Sequence, residues 1–167
     1  SGLGADSYVN FEGVVGSGFS DVLNGSALDD VIDGGWGWDA LSGFGGNDVL
    51  IGGRMADVMT GGLGSDRFVF QARDASVDGT NFWVDTVTDF TAGSGGDILD
   101  VSDLLIGYNG NATDYVRLTA ITAGSMLSVD PDGAGSAYAF RDVTALAGVF
   151  GQTASSLLAG GNLDVVA

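Results

Sequence analysis

The sequence predicts an all-β chain: a parallel solenoid of very short strands, followed by a β-rich antiparallel cap. Three observations predict it. Six aspartates stand nine residues apart, at 21, 30, 39, 48, 57 and 66. A glycine opens each nine-residue unit and an apolar residue holds its eighth place. After residue 70 the beat stops, glycine thins, and longer alternating runs take over.

The units are GSGFSDVLN (16–24), GSALDDVID (25–33), GGWGWDALS (34–42), GFGGNDVLI (43–51), GGRMADVMT (52–60) and GGLGSDRFV (61–69). Places one to six read as a glycine-rich turn, because glycine permits positive φ and close backbone approach. Places seven to nine read as a strand whose middle residue faces inward. Those middle residues are Leu23, Ile32, Leu41, Leu50, Met59 and Phe68. Two units make one coil of two turns and two parallel strands. No unit buries its face alone, so the coils must stack. Gly2, Gly4, Asp6 and Tyr8 suggest an earlier unit, offset by the interruption NFEGVVG.

Stacking places equivalent units in two ladders, Asp21–Asp39–Asp57 and Asp30–Asp48–Asp66. Neighbouring coils lie ~4.8 Å apart. Two bare carboxylates at that distance repel by roughly 1 kcal/mol in water and about 3.5 at an effective dielectric of 20. The ladders therefore call for cations. Hard carboxylate and carbonyl oxygens suit Ca²⁺, whereas Mg²⁺ prefers a tighter octahedron and keeps its water.

Composition narrows the function. The chain of 167 residues carries 22 acids against 5 bases, a net charge of -17, and Glu12 is its one glutamate. Such a surface repels nucleic acids and anionic membranes. No cysteine and no histidine are present, which excludes disulfides, thiolate sites and imidazole chemistry. Without lysine as well, a catalytic triad or Schiff base is impossible, and the carboxylate pairs fall in ladders, so no enzyme activity is expected. The arginines (54, 67, 73, 117, 141) are scattered. No run of 18 apolar residues exists to span a membrane. The first residue is not Met and no signal peptide follows. That suggests a piece of a longer chain, with the parent N-terminal to it, or export by a route that reads another segment.

Units such as GGWGWDALS and GGLGSDRFV resemble the nonapeptide of the RTX (repeats-in-toxin) proteins. The resemblance implies a calcium-binding β-roll over 16–70, preceded by a lead-in coil at 1–15. It implies several Ca²⁺ ions, held by the six aspartates and by turn carbonyls. On this chain those turn positions are Gly34, Gly35, Trp36 and Gly37; Gly43, Gly45 and Gly46; Gly52 and Gly53; Gly61, Gly62 and Gly64. Place four is Phe19, Leu28 and Met55 in three units. There a required positive φ would be strained, which predicts weaker sites or differently shaped turns.

The segment VDTVTDFTAGSGGDILDVSDLL (84–105) resembles the stretch that follows the repeats in RTX proteins. By that resemblance Asp74, Asp85 and Asp97 supply a further calcium site, with Asp89 and Asp100 nearby. The plainer alternative makes these aspartates turn and helix caps. Farther on, YVRLTAI, SMLSVD and AYAFRDV alternate like half-buried antiparallel strands. DPDGAGS reads as the turn between the last two; Asp130, Asp132 and Gly133 share only part of an EF-hand loop. TASSLLA is a short helix and NLDVVA a final strand. The end of the chain is similar to the type I secretion region of large bacterial repeat adhesins. Residues 71–167 are therefore expected to cap the roll and to carry an uncleaved signal for type I machinery.

Trp36 and Trp38 share one turn and are expected to pack against the cap or an inserted segment, with sugar stacking as the alternative. Phe82 and Trp83 are expected in the core between roll and cap. Outward turn residues form no regular threonine file, so ice binding is a poor reading. The function expected is a calcium-dependent folding and secretion module of a large adhesin or exoprotein, extracellular or on the surface of a Gram-negative bacterium. The alternatives are a structural β-roll within a secreted protease, lipase or epimerase, or a glycan-binding module.

Overall fold

The computed structural model describes residues 5–7, 13–72, 83–133 and 139–166. Eight short strands open the chain: β1 (Ala5–Ser7), β2 (Val14–Val15), β3 (Val22–Asn24), β4 (Val31–Asp33), β5 (Ala40–Gly45), β6 (Val49–Ile51), β7 (Val58–Leu63) and β8 (Arg67–Val69). They alternate between two sheets, and every pairing among them is parallel. The chain is thus a parallel β-roll, all-β apart from short helical segments.

Register explains why the beat is nine. Leu23 stands opposite Leu41 and Leu41 opposite Met59 in one sheet. In the other, Ile32 pairs with Leu50 and Leu50 with Phe68. All six middle residues are 2% exposed or less. Burying each contributes roughly 1.5–3 kcal/mol. Their neighbours at place seven, such as Val22, Val31 and Val58, remain more than 40% exposed. One element differs from expectation. Asp6 in β1 stands in register with Leu23, not with Asp21, so it lies off the ladder position. The interruption after it shifts the lead-in strand by two places.

The parallel stack continues past the last repeat. β9 (Asp85–Val87) pairs with β7, and β10 (Ile98–Asp100) pairs with β8. Val87 then extends the Met59 file and Leu99 the Phe68 file, both fully buried. A 3-10 turn (Ser102–Leu104) and helix α1 (Ala112–Tyr115) lead to β11 (Val116–Ile121). β11 and β12 (Gly124–Val129) form an antiparallel hairpin. β13 (Arg141–Ala147) pairs antiparallel with β12 and parallel with β9, which closes the eight-stranded sheet.

β13 ends four residues beyond the AYAFRDV run, because Thr144 breaks the apolar alternation yet is fully buried between two partner strands. Its hydroxyl donates to the Asp85 carbonyl at 3.2 Å. Helix α2 (Ala154–Gly160) starts at a capping box between Thr153 and Ser156 and ends at Gly161, with φ 78°. β14 (Leu163–Asp164) then adds to β10 as the last strand of the six-stranded sheet. Phe82 lies outside the described residues, and Trp83 is 47% exposed, so Trp83 does not join the core. Among the described residues no helix is long and apolar enough to cross a membrane.

Candidate metal centre

The turns form two files, with Asp21, Asp39 and Asp57 in one and Asp30, Asp48 and Asp66 in the other. Four of these carboxylates are tied to the coil before them. Asp21 N donates to Asp39 Oδ1 at 2.7 Å and Asp39 N to Asp57 Oδ1 at 2.8 Å. Asp30 N donates to Asp48 Oδ1 at 2.8 Å and Asp48 N to Asp66 Oδ1 at 2.9 Å. The expected picture of bare carboxylates facing one another needs this correction. One oxygen of each is neutralised by a backbone donor, and the electrostatic demand falls on the other.

That second oxygen is orphaned at Asp39, Asp48 and Asp66. Asp39, Asp48 and Asp66 are 2% exposed or less, and the Oδ2 of each has no hydrogen-bond partner. Burial pushes the Asp39 and Asp48 carboxyls up to about 6, against the lowering effect of the backbone bonds. It also raises Asp66 and Asp97. A buried acceptor left without a donor costs about 1–3 kcal/mol, more when charged, so a missing positive partner is implied.

The opening glycines sit beneath these oxygens. A Cβ on Gly34 would stand 2.5 Å from the Gly52 carbonyl oxygen and 2.6 Å from Asp39 Oδ2. On Gly43 it would collide with Asp48 Oδ2 and the Gly61 carbonyl, and on Gly61 with Asp66 Oδ2. Carboxylate and carbonyl oxygens from successive coils therefore converge on space that a side chain would fill. Among the described residues no three acidic side chains are placed to hold a metal ion by themselves. A cation here would take most of its ligands from the backbone, which suits Ca²⁺ and its oxygen shell. The donor set fits the ion.

Turn shape follows the same division. Gly35, Gly53 and Gly62 at place two have φ of 89°, 97° and 106°, and Gly37, Gly46 and Gly64 at place four have 142°, 113° and 134°. At place three, Trp36 and Gly45 donate their N–H groups to the Ser17 and Ser26 carbonyls of the preceding coil. Gly52 opens the turn that contains Asp57. Of the three place-four departures, only Met55 adopts positive φ, at 84°. Phe19 and Leu28 do not, and their two turns have another shape. The Asp21 and Asp30 carboxylates there are closed by Ser17 and Ser26, so they carry no orphan oxygen.

Beyond the repeats, Asp85 and Asp97 take the next rungs. Asp57 N donates to Asp85 Oδ1 and Asp66 N to Asp97 Oδ1, both at 2.9 Å. Asp74 lies outside the described residues. Asp89 accepts from the Gly61 and Gly62 N–H groups, and Asp100 shares Arg67 with Asp164. Sequence reasoning missed Asn162, whose amide donates to the Asp97 carbonyl at 2.7 Å and holds the 91–97 loop. No local pattern marks it, because its partner is 65 residues away.

The tryptophans do not pack against the cap. Trp36 and Trp38 are 58% and 59% exposed, and the Arg54 guanidinium lies 4.5 Å above the Trp36 ring.

Stacked glycine turns over two aspartate ladders define a metal-ready parallel β-roll. The chain belongs to the family described as Peptidase M10 serralysin C terminal, whose model matches residues 14–132, and such β-rolls typically bind calcium. Among solved structures it is similar to the AlgE6R3 subunit of the mannuronan C5-epimerase from Azotobacter vinelandii. That solution structure is 34% identical, with a TM-score of 0.63, over 90% of this chain and 80% of that one. No curated protein sequence matches.

Proposed function

We propose that the chain is a calcium-dependent folding and type I secretion module of a larger secreted bacterial protein. The observation that carries this reading is the set of buried, orphaned Oδ2 atoms on Asp39, Asp48 and Asp66. Where calcium is scarce, those carboxylates oppose burial and the chain stays unfolded, a state that a narrow export channel threads. Outside the cell, an ion bound only to the native state adds roughly 2.7 kcal/mol per site when its concentration is a hundredfold above Kd. Several such sites exceed the intrinsic deficit of a domain this size.

The chain's own part is to hold carboxylate oxygens against glycine carbonyls and to keep water out of the core beneath. The cap at 71–167 would lead through the type I machinery, and folding outside would oppose backsliding. Circular dichroism during calcium titration from a chelated start tests the first half. The expected result is a cooperative coil-to-β transition near millimolar calcium that magnesium does not reproduce. A chelated chain already folded, with melting indifferent to calcium, would overturn it. Fusing 71–167 to a passenger tests the second half; export at equal rates with and without external calcium would count against the ratchet.

The parent we propose is a large adhesin or exoprotein. A second reading makes the roll the structural module of a secreted protease or epimerase. Its support is the family match and the epimerase subunit's likeness.

A further inference from the structure

We infer that Ser17 and Ser26 exclude calcium from the first coil, each satisfying by hydrogen bonds the carboxylate oxygen that a metal would satisfy elsewhere. The inference rests on the calcium reading above and adds a rule for which turns load.

Two turn shapes share one roll. In turn 16–21, Ser17 N donates to Asp21 Oδ2 at 2.7 Å and Ser17 Oγ donates to the same oxygen at 2.9 Å. Turn 25–30 repeats this with Ser26 and Asp30 at 2.7 and 2.9 Å. Each hydroxyl also accepts the N–H two residues on, from Phe19 and from Leu28, in a serine turn. Both Oδ2 atoms are thus fully engaged by the protein.

In turn 34–39 the place-two peptide is turned over. Gly35 N donates away from the ladder, to Asp33 Oδ1 at 3.0 Å, and Asp39 Oδ2 is orphaned. In turn 61–66 Gly62 N likewise goes to Asp89 Oδ2 at 2.8 Å, and Asp66 Oδ2 is orphaned. The N–H that would quench the carboxylate has been removed, and the oxygen is left for a cation.

Phe44 identifies the hydroxyl, and not glycine alone, as the selector. It occupies place two of turn 43–48 with φ 72°, although a side chain there costs about 1–3 kcal/mol. Asp48 Oδ2 beside it is orphaned. A bulky residue without a hydroxyl takes the strained open shape, whereas serine takes the closed one. The far end of the same ladder is closed by a backbone N–H alone, the Thr91 hydroxyl donating instead to the Asp89 carbonyl at 3.4 Å. Thr91 N donates to Asp97 Oδ2 at 2.7 Å. The Asp30–Asp97 ladder therefore begins and ends on hydrogen-bonded rungs, with its open rungs, Asp48 and Asp66, between them.

Equilibrium dialysis decides it, counting calcium ions per chain in the whole protein with circular dichroism as the fold control. Phe44 is 56% exposed, so both Phe44→Gly and Phe44→Ser leave the core intact. Phe44→Gly is expected to keep the wild-type number and Phe44→Ser to bind one ion fewer. Folded Phe44→Ser protein binding as many ions as Phe44→Gly would overturn the rule. Should Phe44→Ser not fold, Ser26→Gly/Leu28→Gly tests it in reverse: a gain of at least one ion supports the rule, and an unchanged number overturns it. A wild-type chain that takes up no calcium would instead overturn the calcium reading itself, and the rule with it.

Discussion

The backbone N–H of Asp66 donates to Asp97 Oδ1 at 2.9 Å, although 31 residues separate the two. Asp48 makes the same bond to Asp66 across 18 residues, inside the repeats. The ladder thus outlives the sequence period that announces it, and the cap supplies its last rungs from a loop of different length.

Asp97 is therefore expected to matter as much as any repeat aspartate. It is 4% exposed and accepts from both Asp66 N and Thr91 N. Asp97→Ala strands two donors, at about 1–3 kcal/mol each. Urea unfolding in saturating calcium should show a loss of that order. Asp114→Ala, beyond the ladders, should shift the midpoint little. Equal effects would mean that the rung is ornamental.

What the sequence made legible was whatever its period carries. Leu50 and Asp48 each repeat at nine, so spacing alone places the core file and the ladder. Val87 and Leu99 continue the core files at spacings of 28 and 31 from Met59 and Phe68. No beat announces them; only the demand to cover Met59 and Phe68 fixes their positions. Ser17 and Ser26 are plain as serines, but their effect needs the direction of a single peptide, which spacing does not encode. The exposure of Trp36 is equally hidden, because it depends on Arg54, one coil away, lying over its ring.

Met55 at φ 84° stores strain that glycine would release. Met55→Gly should raise calcium-saturated stability by about 1 kcal/mol, offset in part by the greater chain entropy of the unfolded glycine. Thermal melting of the variant beside wild type reads it directly. A fall in melting temperature would show that the Met55 side chain contributes packing larger than the strain.

Acidity should partly replace calcium. Burial raises the Asp39 and Asp48 carboxyls to about 6 in the folded chain, from an ordinary 3.8. Between those values the folded state holds more protons than the unfolded one, so stability falls as pH rises. The stabilisation is present below about 3.8 and is lost as pH climbs through about 6. In chelator, acidification from about pH 7 to about pH 5 should therefore shift the chain from coil toward β structure, read by circular dichroism. In saturating calcium the trend should reverse, because protons and the ion compete for the same oxygens. A chelated chain whose β content is unchanged or falls on acidification would show that these carboxylates are not the groups opposing the fold.

Arg67 joins the last repeat strand to the end of the chain. Its Nη1 lies 2.8 Å from Asp100 Oδ2 and 2.9 Å from Asp164 Oδ2, spanning β8, β10 and β14. The two carboxylates raise the guanidinium above its ordinary value, the Asp164 hydrogen bond most of all, against the lowering effect of burial. About a third of the Arg67 side chain is exposed, so each pair alone is worth little. The arrangement matters because removing Arg67 leaves two carboxylates beside each other in a chain of net charge -17. Arg67→Met, which keeps the stem, should lower calcium-saturated stability by about 1–2 kcal/mol. Adding Asp164→Asn should recover part of that loss, since it removes the repulsion. Hydrogen exchange at Leu99 and Val101, whose N–H groups donate to Asn162 and Asp164 carbonyls, should quicken first. If exchange there is unchanged while the whole fold weakens, Arg67 acts through the roll and not through the junction with β14.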